Sequence, residues 1–218
     1  MSEHMALENL TVLDLTRVLA GPFCTMMLAD MGANVIKIEV PKGGDDTRSY
    51  PPFRAKNLNG ERESVYFANI NRNKKGITLN LKAPEGKEIF KELVKKADVV
   101  VENYRPGVMD KLGLGYDVLK EINPRIIYAA VSGFGCYGPY HLRPGYDILA
   151  QAMGGMMSIT GAKGGEPTRA GSALGDILGG LHVTIGILAA VNARTITGKG
   201  QRVDVSLMDS MIAATENT

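Results

Sequence analysis

Tryptophan is absent from the 218 residues of the chain, and cysteine and histidine are scarce, with two and three copies. Cys24 and Cys136 lie far apart, so their spacing supports neither a disulfide framework nor a zinc cluster, and inert thiols are favoured. His4, His141 and His182 show no paired metal-ligand spacing. The sequence therefore predicts no metal site.

A strong charge of either sign is also lacking, because 25 basic and 23 acidic residues leave a net charge of +2. A nucleic-acid partner is not expected, since phosphate binding needs a basic surface. The longest apolar stretch, near residues 183–191, is interrupted and shorter than the roughly 20 residues of a membrane span. The first residues lack the features of a secretory signal. We expect a cytoplasmic protein without membrane association.

The hydrophobic pattern alternates between short strand-like runs and helical spacing. Strands are predicted at 11–15, 35–39, 77–81, 98–103 and 125–131, with helices beginning near Gly21 and Pro84 and spanning 112–122. The run 125–131 is almost wholly apolar, as in strands that a parallel sheet buries on both faces. The pattern predicts an α/β fold, a Rossmann-like parallel sheet with flanking helices.

The pattern changes toward the end of the chain. A long helix is predicted from about residue 173, closed by a turn at 198–200 and followed by a strand at 201–207. Gly179, Gly180 and Gly186 would lower its helix propensity, so close packing against another element must favour them. The polar segment 41–63 is long enough to suggest a functional loop.

The segment from Gly133 to Gly138 matches the pattern GxGxxG and follows a predicted strand. Pro139 and Pro144 follow closely, so no helix can begin there and offer its N-terminus to a pyrophosphate. The first predicted strand is followed by only one glycine, Gly21, where a dinucleotide-binding fingerprint needs three. Binding of NAD or FAD is therefore not expected.

Asp176 follows Gly175 and lies in the first turn of the long predicted helix. Free N–H groups and the helix dipole favour an ionised carboxylate at this position. The neighbouring glycine would let a bulky ligand approach. Aspartate is also a common helix cap, so the local pattern leaves a capping role and a functional role open.

Five segments, in this order and spacing, resemble the family III CoA-transferases: residues 12–39, 45–48, 71–87, 98–135 and 174–210. They include VLDLTRVLAGPFCTMMLADMGANVIKIE, DDTR, NRNKKGITLNLKAPEGK, DVVVENYRPG and LGDILGGLHVTIGILAAVNARTITGKGQRVDVSLMDS. The resemblance covers nearly the whole chain.

The resemblance implies an enzyme that moves coenzyme A between carboxylic acids, with the aspartate of a Gly-Asp pair as its nucleophile. In this sequence that motif falls on Asp176. Attack on an acyl-CoA would give an aspartyl anhydride and then an aspartyl-CoA thioester. Acyl-CoA and a small carboxylic acid would be the substrates, and no permanently bound cofactor is implied.

The positions that contact CoA in the family's formyl-CoA transferases fall on four segments of this chain. Lysine and arginine among them would offer charge to the nucleotide phosphates. Two positions differ from those enzymes, since Leu19 replaces a glutamine and Val40 an arginine, which leaves the identity of the acid open. The implied CoA-binding residues are Leu19, Ala20, Leu79, Lys82, Asn103, Tyr104, Arg105, Lys111, Ser132, Gly133, Phe134 and Gly135.

Two other functions stay open. An α-methylacyl-CoA racemase shares the fold and the CoA site but exchanges an α-proton with a histidine and the equivalent aspartate. Its histidine lies in a Gly-His-Asp run, and here the run is Gly145-Tyr146-Asp147. Tyrosine, with an ordinary pKa near 10, is a poor general base at neutral pH. A non-catalytic CoA-binding or assembly subunit is the other alternative, because the chain is short.

Family members are about twice as long as this chain and form interlocked homodimers. The resemblance therefore implies that the chain is the N-terminal half of such a protein and that its partner is a second copy. Residues 1–195 would form the first part of the large CoA-binding domain. Residues 196–218 would begin the connection, after the long helix, toward a missing second domain.

Overall fold

The computed structural model describes residues 4–54, 60 and 62–216. Among them are a six-stranded sheet, a two-stranded antiparallel ribbon and eight α-helices. The strands are β1 (Thr11–Asp14), β2 (Asn34–Glu39), β3 (Phe53–Arg54), β4 (Glu63–Ser64), β5 (Lys75–Thr78), β6 (Val99–Glu102), β7 (Ile127–Ser132) and β8 (Arg202–Ser206). The helices are α1 (Ala20–Asp30), α2 (Val65–Ile70), α3 (Pro84–Val94), α4 (Val108–Leu112), α5 (Tyr116–Ile122), α6 (Asp147–Met153), α7 (Leu174–Thr197) and α8 (Leu207–Ala214).

The large sheet has the strand order β5-β2-β1-β6-β7-β8, and every neighbouring pair is parallel. This arrangement confirms the predicted α/β fold with a parallel sheet. The chain adds β2 and β5 on one side of β1 and then crosses back over β2 and β1 to β6, so the order reverses between β1 and β6. Open parallel sheets bind ligands at such a crossing, beyond the carboxyl ends of the strands.

The sheet is covered on both faces, which explains its nearly continuous apolar strands. Val12, Val99 and Val101 pack into one layer with α1, α7 and α8. Leu13 and Val100 point the other way, into a layer formed by α3 and α5. Strand residues alternate between faces, so a strand buried on both sides needs apolar residues at every position.

Two of the predicted elements are wrong in their extent. The helix expected at 112–122 is interrupted, because Gly113 takes a left-handed conformation (φ 73°) that ends α4, and α5 begins only at Tyr116. The strand expected at 77–81 is β5, which ends at Thr78. The pattern also gave no sign of α2 and α6, each of only six or seven residues.

Both cysteines are shielded from solvent. Cys24 is buried and Cys136 half-buried. Burial raises the pKa of each thiol to about 12, so both are uncharged at neutral pH. This environment agrees with the expectation of inert thiols, because the thiolate is the reactive form.

Helix α7 packs within the chain through its small residues. A Cβ atom at Gly180 would lie 2.7 Å from the carbonyl oxygen of Ala20 in α1, and one at Gly186 would lie 2.6 Å from Val203 in β8. The predicted close packing of the glycines is therefore confirmed. By length and composition α7 could also cross a membrane, contrary to the expectation from sequence. In the structure it lies against α1, α8 and the sheet, and 39% of its most apolar stretch is buried.

The residues after α7 continue the same layers. Strand β8 pairs in parallel with β7, and α8 contacts α6 and α7. The domain boundary expected at residue 195, with a connection at 196–218, stays a prediction. Residues up to 214 nevertheless belong to the packed sheet and its helices.

We predict that Gly180→Ala destabilises the protein by about 1–3 kcal/mol, because the added methyl group would press against the backbone of α1. Helix propensity alone would give the opposite sign, with alanine better than glycine by about 1 kcal/mol. Urea unfolding followed by circular dichroism measures the difference.

The control is Ala189→Gly at an exposed position of the same helix. The free energy of unfolding of this variant should fall only by the difference in helix propensity between alanine and glycine, about 1 kcal/mol. A Gly180→Ala protein more stable than the wild type would contradict the packing explanation.

Candidate active site

A cleft of about 300 Å³ opens where β1, β6 and β7 end, at the crossing in the sheet. The segments that follow these strands form its walls, and the start of α7 closes one side. Its lining residues are Arg17, Val18, Leu19, Ala20, Asp46, Tyr50, Asn103, Tyr104, Arg105, Pro106, Val131, Ser132, Gly133, Arg143, Pro144, Gly145, Tyr146, Asp176 and Leu207.

Asp176 is the third residue of α7, as its motif predicted, and its half-buried side chain lines the cleft. Burial, with a smaller contribution from the nearby charge of Asp147, raises the pKa of Asp176 from its ordinary value of 3.8 to about 7. The site therefore penalises the ionised form of this carboxylate more than the first turn of α7 stabilises it.

Asp147 begins α6 and is buried. Its Oδ1 accepts the N–H of Gly175 at 2.8 Å, and its Oδ2 accepts the side-chain amide of Gln151 at 2.8 Å. Asp147 is thus the residue that satisfies an N–H at the start of α7. The buried space beside Gly175 is filled by Ala150 and Asp147, so this glycine permits contact between helices rather than approach of a ligand.

Tyr66 in α2 is an aromatic neighbour of the site that the sequence did not reveal. Burial, followed by the charge of Asp176, raises its pKa to about 12, so its hydroxyl group is protonated at neutral pH. Its ring packs edge-on against Tyr50, which lines the cleft, with 5.9 Å between ring centroids. Tyr50 and Tyr66 thus form an aromatic pair at that side of the cleft.

Three arginines surround the cleft from three segments. Arg17 follows β1 and lies 3.4 Å from Asp46, Arg105 is exposed after β6, and Arg143 stacks on the ring of Tyr140 at 4.2 Å. Guanidinium groups bind carboxylates and phosphates in a bidentate geometry. The cleft can therefore receive an anionic ligand next to Asp176.

The loop after β6 is shaped by a buried carboxylate. Glu102 accepts the backbone N–H of Tyr104 at 2.7 Å and the hydroxyl group of Tyr128 at 3.2 Å. Burial raises the pKa of Glu102 to about 7. The side-chain amide of Asn103 then joins this loop to the backbone of Arg17, with distances of 2.9 and 2.7 Å.

The structure brings most of the predicted site residues together. Those that line the cleft with Asp176 are Leu19, Ala20, Asn103, Tyr104, Arg105, Ser132 and Gly133. Phe134 and Gly135 line a neighbouring pocket of about 200 Å³. Leu79 packs against the core beyond β5, and Lys82 and Lys111 are exposed outside the cleft. Val40, which departs from the formyl-CoA transferases, is exposed beyond β2.

Sequence reasoning did not single out Arg17 and missed Arg143 and Tyr66 as parts of the site. Arg17 lies two positions before Leu19 and follows a parallel strand. Residues at that position often bind ligands, so the sequence did contain a signal for Arg17. Arg143 lies in a loop and Tyr66 in a short helix far from the other segments in sequence. Nothing in their local pattern indicates that they approach Asp176.

The model of the family described as CoA-transferase family III matches residues 7–218. A curated relative, the acetyl-CoA:oxalate CoA-transferase of Acetobacter aceti, is 50% identical over 94% of this chain and 52% of its own length. The succinyl-CoA:mesaconate CoA-transferase of Haloarcula marismortui is 49% identical over 98% of this chain and 54% of its own. The chain thus spans about half the length of these curated relatives.

A solved structure of a CAIB/BAIF family protein from Brucella suis has the same fold. Its TM-score is 0.94 with 45% sequence identity, and the match covers 99% of this chain and 56% of that one. The uncovered part of that protein fits the prediction that a second domain is missing here.

We predict that Asp176→Asn stabilises the protein relative to the wild type above about pH 4, and increasingly so up to about pH 7. Between these values the unfolded wild type has an ionised Asp176 while the folded protein keeps it protonated, so raising the pH favours unfolding. Above pH 7 both states are ionised and the difference levels off. Urea unfolding of both proteins from pH 4 to pH 8 measures it.

Carboxyl carbon NMR provides a direct check, because the resonance missing from Asp176→Asn identifies the group. Its titration midpoint should lie near 7. A midpoint near 4, with a stability difference independent of pH, would show that the carboxylate is well solvated.

Proposed function

The chain belongs to CoA-transferase family III, and on that premise we propose that the complete protein transfers coenzyme A from an acyl-CoA to a free carboxylic acid through covalent intermediates on Asp176. CoA binds in the cleft at the carboxyl ends of β1, β6 and β7. The acid occupies the part of the cleft next to Asp176.

The observation that carries this proposal is the set of reactive groups in the cleft. Its described lining contains no cysteine, histidine or lysine. Among the described residues, the buried hydroxyl oxygen of Ser132 has no hydrogen-bond partner, so none of them is placed to activate it as a base. Asp46 pairs with Arg17 at the solvent-exposed rim. Asp176 is the group suited to attack a thioester.

The electrostatics of Asp176 favour its acylation. Burial and the charge of Asp147 both penalise the negative carboxylate. An anhydride or a thioester at the same position is neutral, so formation of either one removes that penalty. The ionised form of Asp176, which prevails above about pH 7, attacks without losing a proton, so this step needs no histidine base.

The reaction then follows in balanced steps. A carboxylate oxygen of Asp176 attacks the thioester carbon and expels CoA as a thiolate, which leaves a mixed anhydride. The thiolate attacks the aspartyl carbonyl of this anhydride, releases the donor acid and leaves aspartyl-CoA. The acceptor carboxylate attacks that thioester, forms a new anhydride and expels the thiolate. The thiolate finally attacks the acceptor acyl carbon and restores the carboxylate of Asp176.

We assign the nucleotide end of CoA to the surface outside the cleft. The pantetheine arm with its thioester would fill the cleft next to Asp176. Lys82 and Lys111 are exposed beyond the cleft, and Arg105 stands at its wall. These three cations would contact the phosphates.

A dicarboxylic acid is the acceptor that the cleft favours. The relatives from Acetobacter and Haloarcula are named for oxalate and mesaconate, and both acids carry two carboxylates. One carboxylate must face Asp176 to react. Arg17 and Arg143 offer guanidinium groups within the same cleft for the other.

A racemase is less well supported by the site. Tyr146 occupies the position of the racemase histidine and lines the cleft with 69% of its surface exposed. The nearest histidine in sequence, His141, interacts with the carbonyl oxygen of Gly138 and does not line the cleft. The histidine that a racemase would use together with Asp176 is therefore not found among the described residues of the cleft.

We predict that Asp176→Asn lowers CoA transfer by several orders of magnitude and leaves CoA binding intact, because it keeps the shape but removes the nucleophile. Transfer from succinyl-CoA or acetyl-CoA to oxalate or mesaconate is the assay. Calorimetry with CoA is the binding control.

A chemical trap tests the assignment more directly. Hydroxylamine added during turnover should convert the activated aspartyl group to a hydroxamate, and mass spectrometry should find it on the peptide containing Gly175 and Asp176. A hydroxamate on another residue, or near-normal transfer by the Asn variant, would refute this role. Absence of any covalent CoA intermediate would favour the non-catalytic CoA-binding subunit.

We also predict that Lys82→Ala, Arg105→Ala and Lys111→Ala together weaken CoA binding by about tenfold or more and reduce its dependence on salt. Binding of an acyl-pantetheine should not change, because this ligand has no phosphate groups. Calorimetry with both ligands at two salt concentrations tests the assignment.

The matched control removes three other surface cations, Lys91, Lys95 and Lys120, each paired with an acid three residues earlier in the chain. This control should bind CoA like the wild type. Equal losses of CoA affinity in both triple variants would contradict the assignment and show a nonspecific effect of net charge.

A further inference from the structure

Two buried ion pairs form hydrogen bonds with the segment between β1 and α1. Thr16 donates its backbone N–H and its hydroxyl group to Asp14, which is paired with Lys74 at 3.0 Å. The carbonyl oxygen of Thr16 accepts from Lys37, which is paired with Asp45 at 2.9 Å. The side chains of Lys37 and Asp45 are only 2% and 1% exposed.

The Lys37–Asp45 pair also contacts a residue that follows Thr16 and lines the cleft. Asp45 accepts the N–H of Val18 at 3.2 Å through Oδ1, and the same oxygen accepts the N–H of Thr47 at 3.0 Å. Val18 has a φ of 68°, a left-handed conformation that β-branched residues rarely adopt. Such a conformation persists only where the surrounding contacts enforce it, and it often marks functional sites.

Val18 lies in the wall of the cleft between Arg17 and Leu19. We propose that the buried Lys37–Asp45 ion pair is a positioning device that holds Val18 in its left-handed conformation and so sets the wall formed by residues 17–19. Its effect on catalysis rests on the proposed function, whereas its effect on the wall does not.

The alternative is that the pair contributes to stability alone. A buried ion pair is a weak source of stability, because desolvation offsets the attraction, so an apolar pair would serve a core equally well. Electrostatics also show that the pair is tight. Burial would raise the pKa of Asp45, but the charge of Lys37 and the hydrogen bonds from Thr47 hold it below its ordinary value.

The chain offers a matched control pair. Arg194 and Asp98 are paired at 2.9 Å with side chains 7% and 28% exposed. Asp98 precedes β6, at the opposite end of the sheet from the cleft. Asp98→Asn therefore breaks a partly buried pair without touching the wall.

Hydrogen exchange measured on this chain tests the proposal. In Asp45→Asn, the peptide 15–20 should exchange about tenfold faster than in the wild type, relative to the amides of β7. Asp98→Asn should leave that ratio unchanged. If Asp45→Asn does not fold, Lys37→Met/Asp45→Asn removes both charges and leaves no unpaired buried charge, and it should show the same faster exchange.

Val18→Asn added to either variant supplies a rescue, because asparagine tolerates the left-handed conformation far better than valine. Exchange of 15–20 should return toward the wild-type rate. Equal exchange in Asp45→Asn and Asp98→Asn, or a neutral double variant that exchanges like the wild type, would overturn the proposal.

Kinetics of the complete enzyme supply a second readout. Asp45→Asn should raise KM for acyl-CoA about tenfold and change kcat by less than about threefold, because Asp176 lies on α7 and not on the wall. An equal loss in kcat would contradict a role confined to the wall. Absence of transfer in the wild type would refute the proposed function, while hydrogen exchange would still decide the positioning role.

Discussion

Two lysines buried beneath the turn between β1 and α1 are the constraint on which the cleft depends. Lys37 and Lys74 are each paired with an aspartate, and between them these pairs satisfy both backbone groups of Thr16. The turn must then run through a left-handed Val18 before α1 begins. Asn103 joins this turn to the loop after β6. Two walls of the cleft are thereby fixed by polar contacts rather than by apolar packing.

The start of α7 forms the third side of the cleft. There one carboxylate both stabilises the helix and affects the pKa of Asp176. Asp147 stabilises this helix by accepting an N–H from Gly175. The same carboxylate adds to the burial that raises the pKa of Asp176 to about 7. The contact that positions Asp176 therefore also makes its negative charge costly, which suits the neutral covalent intermediates that we propose for this residue.

The periodicity of the sequence predicted the parallel sheet, because strands buried on both faces require continuous apolar runs. It also located the long helix and its glycines. It failed where conformation depends on single residues, as at Gly113, whose left-handed backbone divides one predicted helix into two. The short helices α2 and α6 were missed because six or seven residues are too few to show a helical period.

For the site, the sequence by itself determined the family resemblance, the position of Asp176 and the segments that follow β1, β6 and β7. These features are local, since each depends on one motif or on the end of one strand. Only the tertiary structure decided that Arg143, Asp147 and Tyr66 join Asp176, and that Lys82 and Lys111 lie outside the cleft. The reason is physical: the raised pKa of Asp176 arises from burial and from a charge 29 positions away in the sequence, and neither can be read from neighbouring residues.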